Sequence, residues 1–146
     1  MSEGITPRDT QRRQGVRPRA KILLADEDTK DLQLYASILR AQGHLVDCCT
    51  TYLEAAERLE RGRYDLIILS QGGRAFEGQF LLERAVELDR RRPVLVLTRS
   101  VDMRSYLDVM YLGAHDYMEK PPVPWEILKT VSSCISYRVG VAYALR

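Results

Sequence analysis

The sequence lacks any long hydrophobic run. Its prominent apolar stretches, at residues 22–25, 66–69 and 94–97, hold about four residues each, whereas a membrane-spanning helix needs roughly 18 consecutive apolar residues. The first 20 residues also lack the apolar block of a secretory signal. We therefore expect a cytoplasmic protein without a membrane span.

Cysteine and histidine are scarce. The chain has three cysteines and two histidines; Cys48 and Cys49 are neighbours, and Cys134 is far from both. An odd number of cysteines without metal-type spacing argues against a disulfide framework and against a zinc site. We expect reduced, buried thiols.

Strong net charge is missing from most of the chain. Residues 1–20 carry five arginines against two acidic residues, a net charge of +3, whereas residues 21–146 carry 17 basic and 18 acidic residues, a net charge of −1. Residues 1–20 also show no apolar periodicity. We predict a basic, flexible N-terminal tail over residues 1–20 and one domain over residues 21–146.

Short apolar runs alternate with helical patterns from residue 21 onward. The predicted strands are Lys21 to Ala25, His44 to Cys49, Asp65 to Leu69, Val94 to Leu97 and His115 to Met118. Helix-start signals separate the runs: Asp28, Thr51 and Ser100 are predicted N-caps, and Pro124 suits a first turn. This alternation predicts an α/β fold, a five-stranded parallel sheet that is doubly wound and flavodoxin-like.

Several polar residues directly follow the predicted strands. In doubly wound sheets the functional crevice lies beyond the carboxyl ends of the strands. We therefore expect one cluster at that edge, made of Asp26, Glu27, Asp28, Ser70, Thr98 and Lys120.

Four segments together resemble the receiver domain of two-component response regulators, the chemotaxis-type single-domain receiver. They read ILLADED, YDLIILS followed by Glu77-Gly78, VLVLT and GAHDYMEKP. The resemblance implies that Asp26 and Glu27 match the acidic pair that helps bind Mg²⁺. It also implies that Thr98 and Lys120 match the groups that contact phosphoryl oxygens. Where receivers carry the phosphoacceptor aspartate, this chain has Ser70.

That departure predicts an atypical form of the domain. A receiver aspartate is already a nucleophile at neutral pH and is itself a magnesium ligand. The Ser70 hydroxyl would need a general base, and both histidines lie at the amino ends of predicted strands. We therefore assign no catalytic residue and expect a protein that is not an enzyme.

The rest of the pocket departs as well. Asp26 and Glu27 alone would hold Mg²⁺ weakly at most, and no other cofactor is expected. Lys120 is then expected to pair with the acidic cluster. The substitutions Arg74 and Arg99 can crowd or neutralise the pocket; Arg99 either pairs with Asp26 or Glu27 or lies exposed on its loop.

The fourth helix, fifth strand and fifth helix form the partner-binding face in receivers. Tyr117 matches the aromatic residue that changes position with the conserved hydroxyl. Tyr106, Val109, Met110 and Tyr111 make the fourth helix more apolar than one buried stripe requires. They form either core with scattered exposure or an interface. A homodimer through this face, or a protein partner such as a histidine kinase or another signalling protein, would use it.

These features predict a pseudo-receiver in bacterial signal transduction that acts by protein contacts, independently of phosphorylation. One alternative is an Asp-dependent phosphatase of the haloacid-dehalogenase type, although Lys30 stands where that motif needs Thr or Val. The other is a nucleic-acid adaptor that uses the basic tail; we expect no nucleic-acid partner, because the domain has no basic recognition helix.

Overall fold

A computed structural model describes residues 20–73 and 75–144; for residues 139–144 it describes the helical backbone alone. Residues 1–19 of the predicted tail and the pocket substitution Arg74 therefore lie outside the described residues.

Strands and helices alternate along the described chain. In order they are β1 Lys21–Ala25, α1 Thr29–Ala41, β2 Leu45–Cys49, α2 Tyr52–Arg61, β3 Leu66–Ser70, α3 Gln79–Leu88, β4 Val94–Thr98, α4 Met103–Tyr111, β5 Asp116–Glu119 and α5 Pro124–Ala144. The strands are all parallel, in the order β2-β1-β3-β4-β5. The predicted five-stranded, doubly wound, flavodoxin-like fold is confirmed.

The sheet is covered on both faces, because every residue of β3 and β4 is buried and all but the terminal Ser70 and Thr98 are apolar. Helices α2, α3 and α4 pack on one face through Ala55, Leu82 and Val109 among others. Helices α1 and α5 pack on the other face, where Leu39 and Val131 are fully buried.

Most predicted helix starts agree with the structure. The Asp28 carboxylate accepts hydrogen bonds from two backbone N–H groups of α1, and the Thr51 hydroxyl accepts one from the backbone of α2. The prediction that Ser100 caps α4 is wrong. α4 begins only at Met103, so its cap is Asp102. The Asp102 carboxylate accepts a hydrogen bond of 2.8 Å from the backbone N–H of Ser105.

The predicted bounds of β1 are confirmed, and those of the other four strands differ by one residue. β3 runs from Leu66 to Ser70 rather than from Asp65 to Leu69, and β5 is likewise shifted by one residue, to Asp116–Glu119. β2 begins one residue later than predicted, and β4 ends one residue later, at Thr98. The Asp65 carboxylate is used elsewhere, since it accepts a 2.8 Å hydrogen bond from the backbone N–H of Lys21. Ser70 thus closes β3 as its last paired residue, opposite Leu97.

Among the described helices, none has the length and hydropathy needed to cross a membrane.

Candidate functional site at the carboxyl edge of the sheet

The structure brings four of the predicted polar residues to one edge of the sheet. Asp26 follows β1, Ser70 and Thr98 end β3 and β4, and Lys120 follows β5. All four are buried. A buried charge must be paired, so the partners of Asp26 and Lys120 determine the chemistry of this edge.

Lys120 is paired with two carboxylates. Its ammonium Nζ lies 2.6 Å from Oδ2 of Asp26 and 3.2 Å from Oδ2 of Asp31, and it lies 5.9 Å from the centre of the Tyr35 ring. The side chains of Lys120 and Asp26 are each 3% exposed. The predicted pairing of Lys120 with the acidic cluster is present, and Asp31 is an additional partner.

Arg99 extends the same network. Its guanidinium lies 2.9 Å from Oδ2 of Asp28 and also contacts Asp31. The hypothesis that Arg99 pairs with Asp26 or Glu27 is wrong. Asp26 is already bonded at both oxygens, to Lys120 and to the backbone N–H of Asp28, and Glu27 is exposed. Instead, the first turn of α1 presents two carboxylates three residues apart to the guanidinium.

Asp28 has two roles at the start of α1. The backbone N–H groups of Asp31 and Lys30 and the Arg99 guanidinium together hold the pKa of Asp28 below its usual value, and the bond from the Asp31 N–H has the largest effect. Asp28 therefore caps α1 and binds Arg99 as a carboxylate.

The loop after β3 packs closely against Ser70. The Tyr52 hydroxyl donates a 2.8 Å hydrogen bond to the Ser70 carbonyl, and burial raises the pKa of Tyr52. A Cβ at Gly78 would lie 2.6 Å from that same carbonyl oxygen, so the chain can pass there only with glycine. The Ser70 hydroxyl accepts a long bond of 3.4 Å from the Gly72 N–H.

Thr98 and Tyr117 each have partners within the chain. The Thr98 hydroxyl donates to the Ser100 carbonyl and accepts from the Ser100 N–H, both at 3.2 Å. The Tyr117 hydroxyl donates to Oε1 of Gln71 at 2.8 Å. Gln71, a buried residue that the sequence analysis missed, directly follows Ser70. Tyr117 is thus connected to the end of β3.

Comparisons with known proteins identify this architecture. A model of the response regulator receiver domain matches residues 22–132. The chain belongs to this family. Transcriptional regulatory protein BasR of Escherichia coli is 33% identical over 101 residues, which cover 69% of this chain and 46% of BasR. Transcriptional regulatory protein PmrA of Pectobacterium parmentieri is 28% identical over 120 residues, which cover 82% of this chain and 54% of PmrA.

Solved receiver structures have the same fold. A CheY-like receiver domain protein from Methanospirillum hungatei superimposes with a TM-score of 0.78 at 24% identity, covering 84% of this chain and 98% of that one. The receiver domain of a LuxO repressor protein from Vibrio parahaemolyticus gives a TM-score of 0.78 at 21% identity, covering 86% and 97%. The chain spans about half the length of the curated relatives BasR and PmrA.

Receiver domains commonly bind Mg²⁺ at this edge, but the residues here do not fit that ion well. Mg²⁺ prefers an octahedron of oxygen ligands that includes one or two free carboxylates. Both oxygens of Asp26 are engaged, and β3 ends in a hydroxyl. Within residues 20–73 and 75–144, no three histidine, cysteine or acidic side chains are grouped to hold a metal ion.

The receiver face formed by α4, β5 and α5 exposes large side chains. Tyr111 is 90% exposed, and Tyr106 is 40% exposed and packs edge-on against Tyr117 at 6.0 Å. Val109, for which the sequence left core and interface open, is fully buried in the core. Val109 therefore lies on the inward side of α4. Met110 is half-buried and packs against the same core. Further exposed apolar residues on this face are Met103, Leu107 and Trp125.

Proposed function

We propose that this receiver is a pseudo-receiver, a signalling module that acts through protein contacts and does not depend on an aspartyl phosphate. One observation carries the proposal: β3 ends in Ser70, while the Lys120 ammonium is already bound by Asp26 and Asp31. The cation that would otherwise be available to a phosphoryl group is neutralised within the chain.

The surroundings of Ser70 support this interpretation. A serine hydroxyl becomes a nucleophile only when a general base accepts its proton. His44 and His115 directly precede β2 and β5, which puts them at the opposite edge of the sheet. Asp26 is bound to Lys120 at 2.6 Å. A phosphate on Ser70 would also be an ester, which hydrolyses far more slowly than the acyl phosphate of an aspartate.

Magnesium is not needed for charge balance in this proposal. Lys120 and Arg99 supply two positive charges to the acidic residues at the start of α1. Both cations contact Asp31. We therefore expect weak Mg²⁺ binding at most through Asp26 and Glu27, and no Mg²⁺ requirement for function.

A single conformational state follows from the same contacts. A ligand shifts a population only through different affinities for two states, and this pocket offers no nucleophilic carboxylate to a phosphodonor. Arg99 connects the loop after β4 to α1. Tyr117 is hydrogen-bonded to Gln71 at 2.8 Å. We expect Thr98 and Tyr117 to keep these positions rather than to exchange between two.

The output would then depend on the exposed face of α4 and on α5. Tyr111, Leu107 and Trp125 are all more than half exposed, and exposed aromatic side chains often mark protein contacts. We propose this face as the site for a signalling protein, such as a histidine kinase, or for a second copy of the chain. The names of BasR and PmrA, transcriptional regulatory proteins, describe those longer proteins.

The test compares the wild type with Ser70→Asp, using acetyl phosphate and Mg²⁺. Ser70→Asn is the matched control, because asparagine has the shape of aspartate without its charge. We expect no acyl phosphate on the wild type or on Ser70→Asn. Phosphorylation of Ser70→Asp alone would show that the wild type is not phosphorylated because it lacks the carboxylate. If none of the three proteins is phosphorylated, the network of Lys120 and Arg99 also closes the site. An acyl phosphate on the wild type would overturn the proposal.

A further inference from the structure

A groove lies between α2 and α3, on the side of the molecule away from α5. It is a shallow depression, open to solvent, with a volume of about 420 Å³. Phe80 is 46% exposed in it, although it packs edge-on against Tyr52 at 6.4 Å between ring centres. An aromatic ring left half in solvent can still bury apolar area against a partner.

The rim of this groove is acidic. Glu57 and Glu60 lie on α2, and Glu83 and Glu87 lie on α3, all exposed. Arg84 binds Glu60 at 2.6 Å and Glu87 at 3.2 Å. The four carboxylates and one guanidinium leave a formal charge of −3 at the rim.

Two of these carboxylates keep unused capacity to bind a cation. Glu83 accepts only the neutral Gln79 amide, at 3.0 Å, and Glu57 has no hydrogen bond or ion pair to any described residue. Arg84 is already paired with Glu60 and Glu87. An added arginine would therefore find free carboxylate oxygens at Glu57 and Glu83.

Ala20, the first described residue, lies at the same end of the domain as Glu60 and Glu87 of the groove. These two glutamates are next to last in α2 and α3, both of which run toward the amino edge of the parallel sheet. Ala20 lies at that edge, since its carbonyl accepts a hydrogen bond from Leu45 at the start of β2. The next residue, Lys21, donates its backbone N–H to Asp65, just before β3.

Residues 1–19 have the charge and the length to fill the groove. They carry five arginines against two acidic residues, a net charge of +3, which is opposite to that of the rim. A ten-residue helix is about 15 Å long, whereas 19 extended residues span up to about 60 Å. The tether also raises the effective concentration of the segment to about the millimolar range, so weak contacts suffice.

We propose that residues 1–19 bind in the α2–α3 groove of their own chain, with arginines on Glu57 and Glu83 and a guanidinium or apolar side chain over Phe80. The bound segment would cover this side of the domain and compete with any external partner for it. This inference does not rest on the proposed function, because the groove lies apart from Ser70 and Lys120.

Paramagnetic relaxation in the chain of residues 1–146 tests the proposal. A nitroxide is attached through Thr10→Cys in a Cys48→Ser background, since Cys49 and Cys134 are buried and Cys48 is half-buried. We expect a selective loss of amide signal in α2 and α3, around Glu57, Phe80 and Glu83. The loss should diminish at high salt because exposed ion pairs are screened.

Charge reversal provides the matched comparison. Glu57→Lys together with Glu83→Lys should abolish the signal loss in α2 and α3. The control, Asp108→Lys together with Glu126→Lys, reverses two exposed acids of α4 and α5 and should preserve it. Uniform weak broadening, or broadening centred on α4 and α5, would overturn the proposal, as would a signal loss that survives reversal of the groove charges.

Discussion

The Lys120 ammonium lies 2.6 Å from the Asp26 carboxylate, and both side chains are buried at the carboxyl edge of the sheet. Each charge compensates the other, because neither side chain is accessible enough for water to solvate it. A buried pair adds little net stability by itself, but loss of one partner leaves an uncompensated buried charge.

We therefore predict that Lys120→Met lowers the free energy of unfolding by about 3–5 kcal/mol, the range for broken buried pairs. The double variant Asp26→Asn/Lys120→Met should recover a large part of this loss, because no buried charge remains. Urea denaturation of the wild type, the two single variants and the double variant measures both effects. Lys129→Met, which removes an exposed lysine of α5, is the control and should change stability by less than about 0.5 kcal/mol. Equal stabilities of Lys120→Met and wild type would contradict the pairing.

Asp31 contacts both cations of the site, and its neighbour Asp28 contacts only Arg99. We predict that Asp31→Asn costs about 2 kcal/mol in unfolding free energy, the range for a hydrogen bond to a charged group. Asp28→Asn should cost less, since asparagine is an equally good N-cap and the Arg99 side chain is 60% exposed. Chemical denaturation of the two variants provides the comparison; a larger loss in Asp28→Asn would show that capping, not the link to Lys120, dominates.

The caps of α1 and α4 predict a pH dependence. Backbone N–H bonds from Asp31 and Ser105, respectively, have the largest effect in lowering the pKa values of Asp28 and Asp102 below 3.8. A carboxyl group whose pKa is lowered in the folded state stabilises the native protein at pH values above its unfolded-state pKa. This stabilisation is lost as the pH falls through the folded-state pKa. We expect the melting temperature of the wild type to decrease when the pH is lowered below about 4. The decrease should be smaller in Asp28→Asn/Asp102→Asn. Thermal melts between neutral and acidic pH measure this slope; identical slopes in the two proteins would refute the assignment.

The free thiols should react at different rates. Burial raises the pKa of Cys49 to about 11 and that of Cys134 to about 12, whereas Cys48 is half-buried on β2. Because the thiolate is the reactive form, we predict that a disulfide reagent near neutral pH modifies one thiol of the native protein. Cys48→Ser should eliminate this phase, and denaturant should expose the other two. Fast modification of native Cys48→Ser would contradict the predicted burial.

The fold was predictable from the sequence because its strands are short, continuous apolar runs that must be covered on both faces. The approximate position of the site followed from topology alone: whatever follows a parallel strand lies at one edge. Asp26, Thr98 and Lys120 were found in this way. The ends of strands were less certain, since one more paired residue changes the periodic pattern very little.

Contacts between distant segments were not predictable in the same way. Asp31 looked like an ordinary acid in a first helical turn, and only the packing of α1 against the loop after β4 brings it to Arg99, 68 residues away. Gln71 had no sequence signal beyond its position after Ser70. For Val109 the choice between core and interface stayed open, because apolar content alone does not tell which side of α4 faces the core.

The most direct measurement adds beryllofluoride, a non-covalent analogue of a phosphoryl group, together with Mg²⁺ to the wild-type protein and follows the amide spectrum. Since Ser70 supplies no carboxylate and Lys120 is already paired, we predict no saturable shift at Thr98, Tyr117 or Lys120. Saturable shifts at these residues, with the ligand bound at the end of β3, would contradict a pocket whose charges are balanced within the chain.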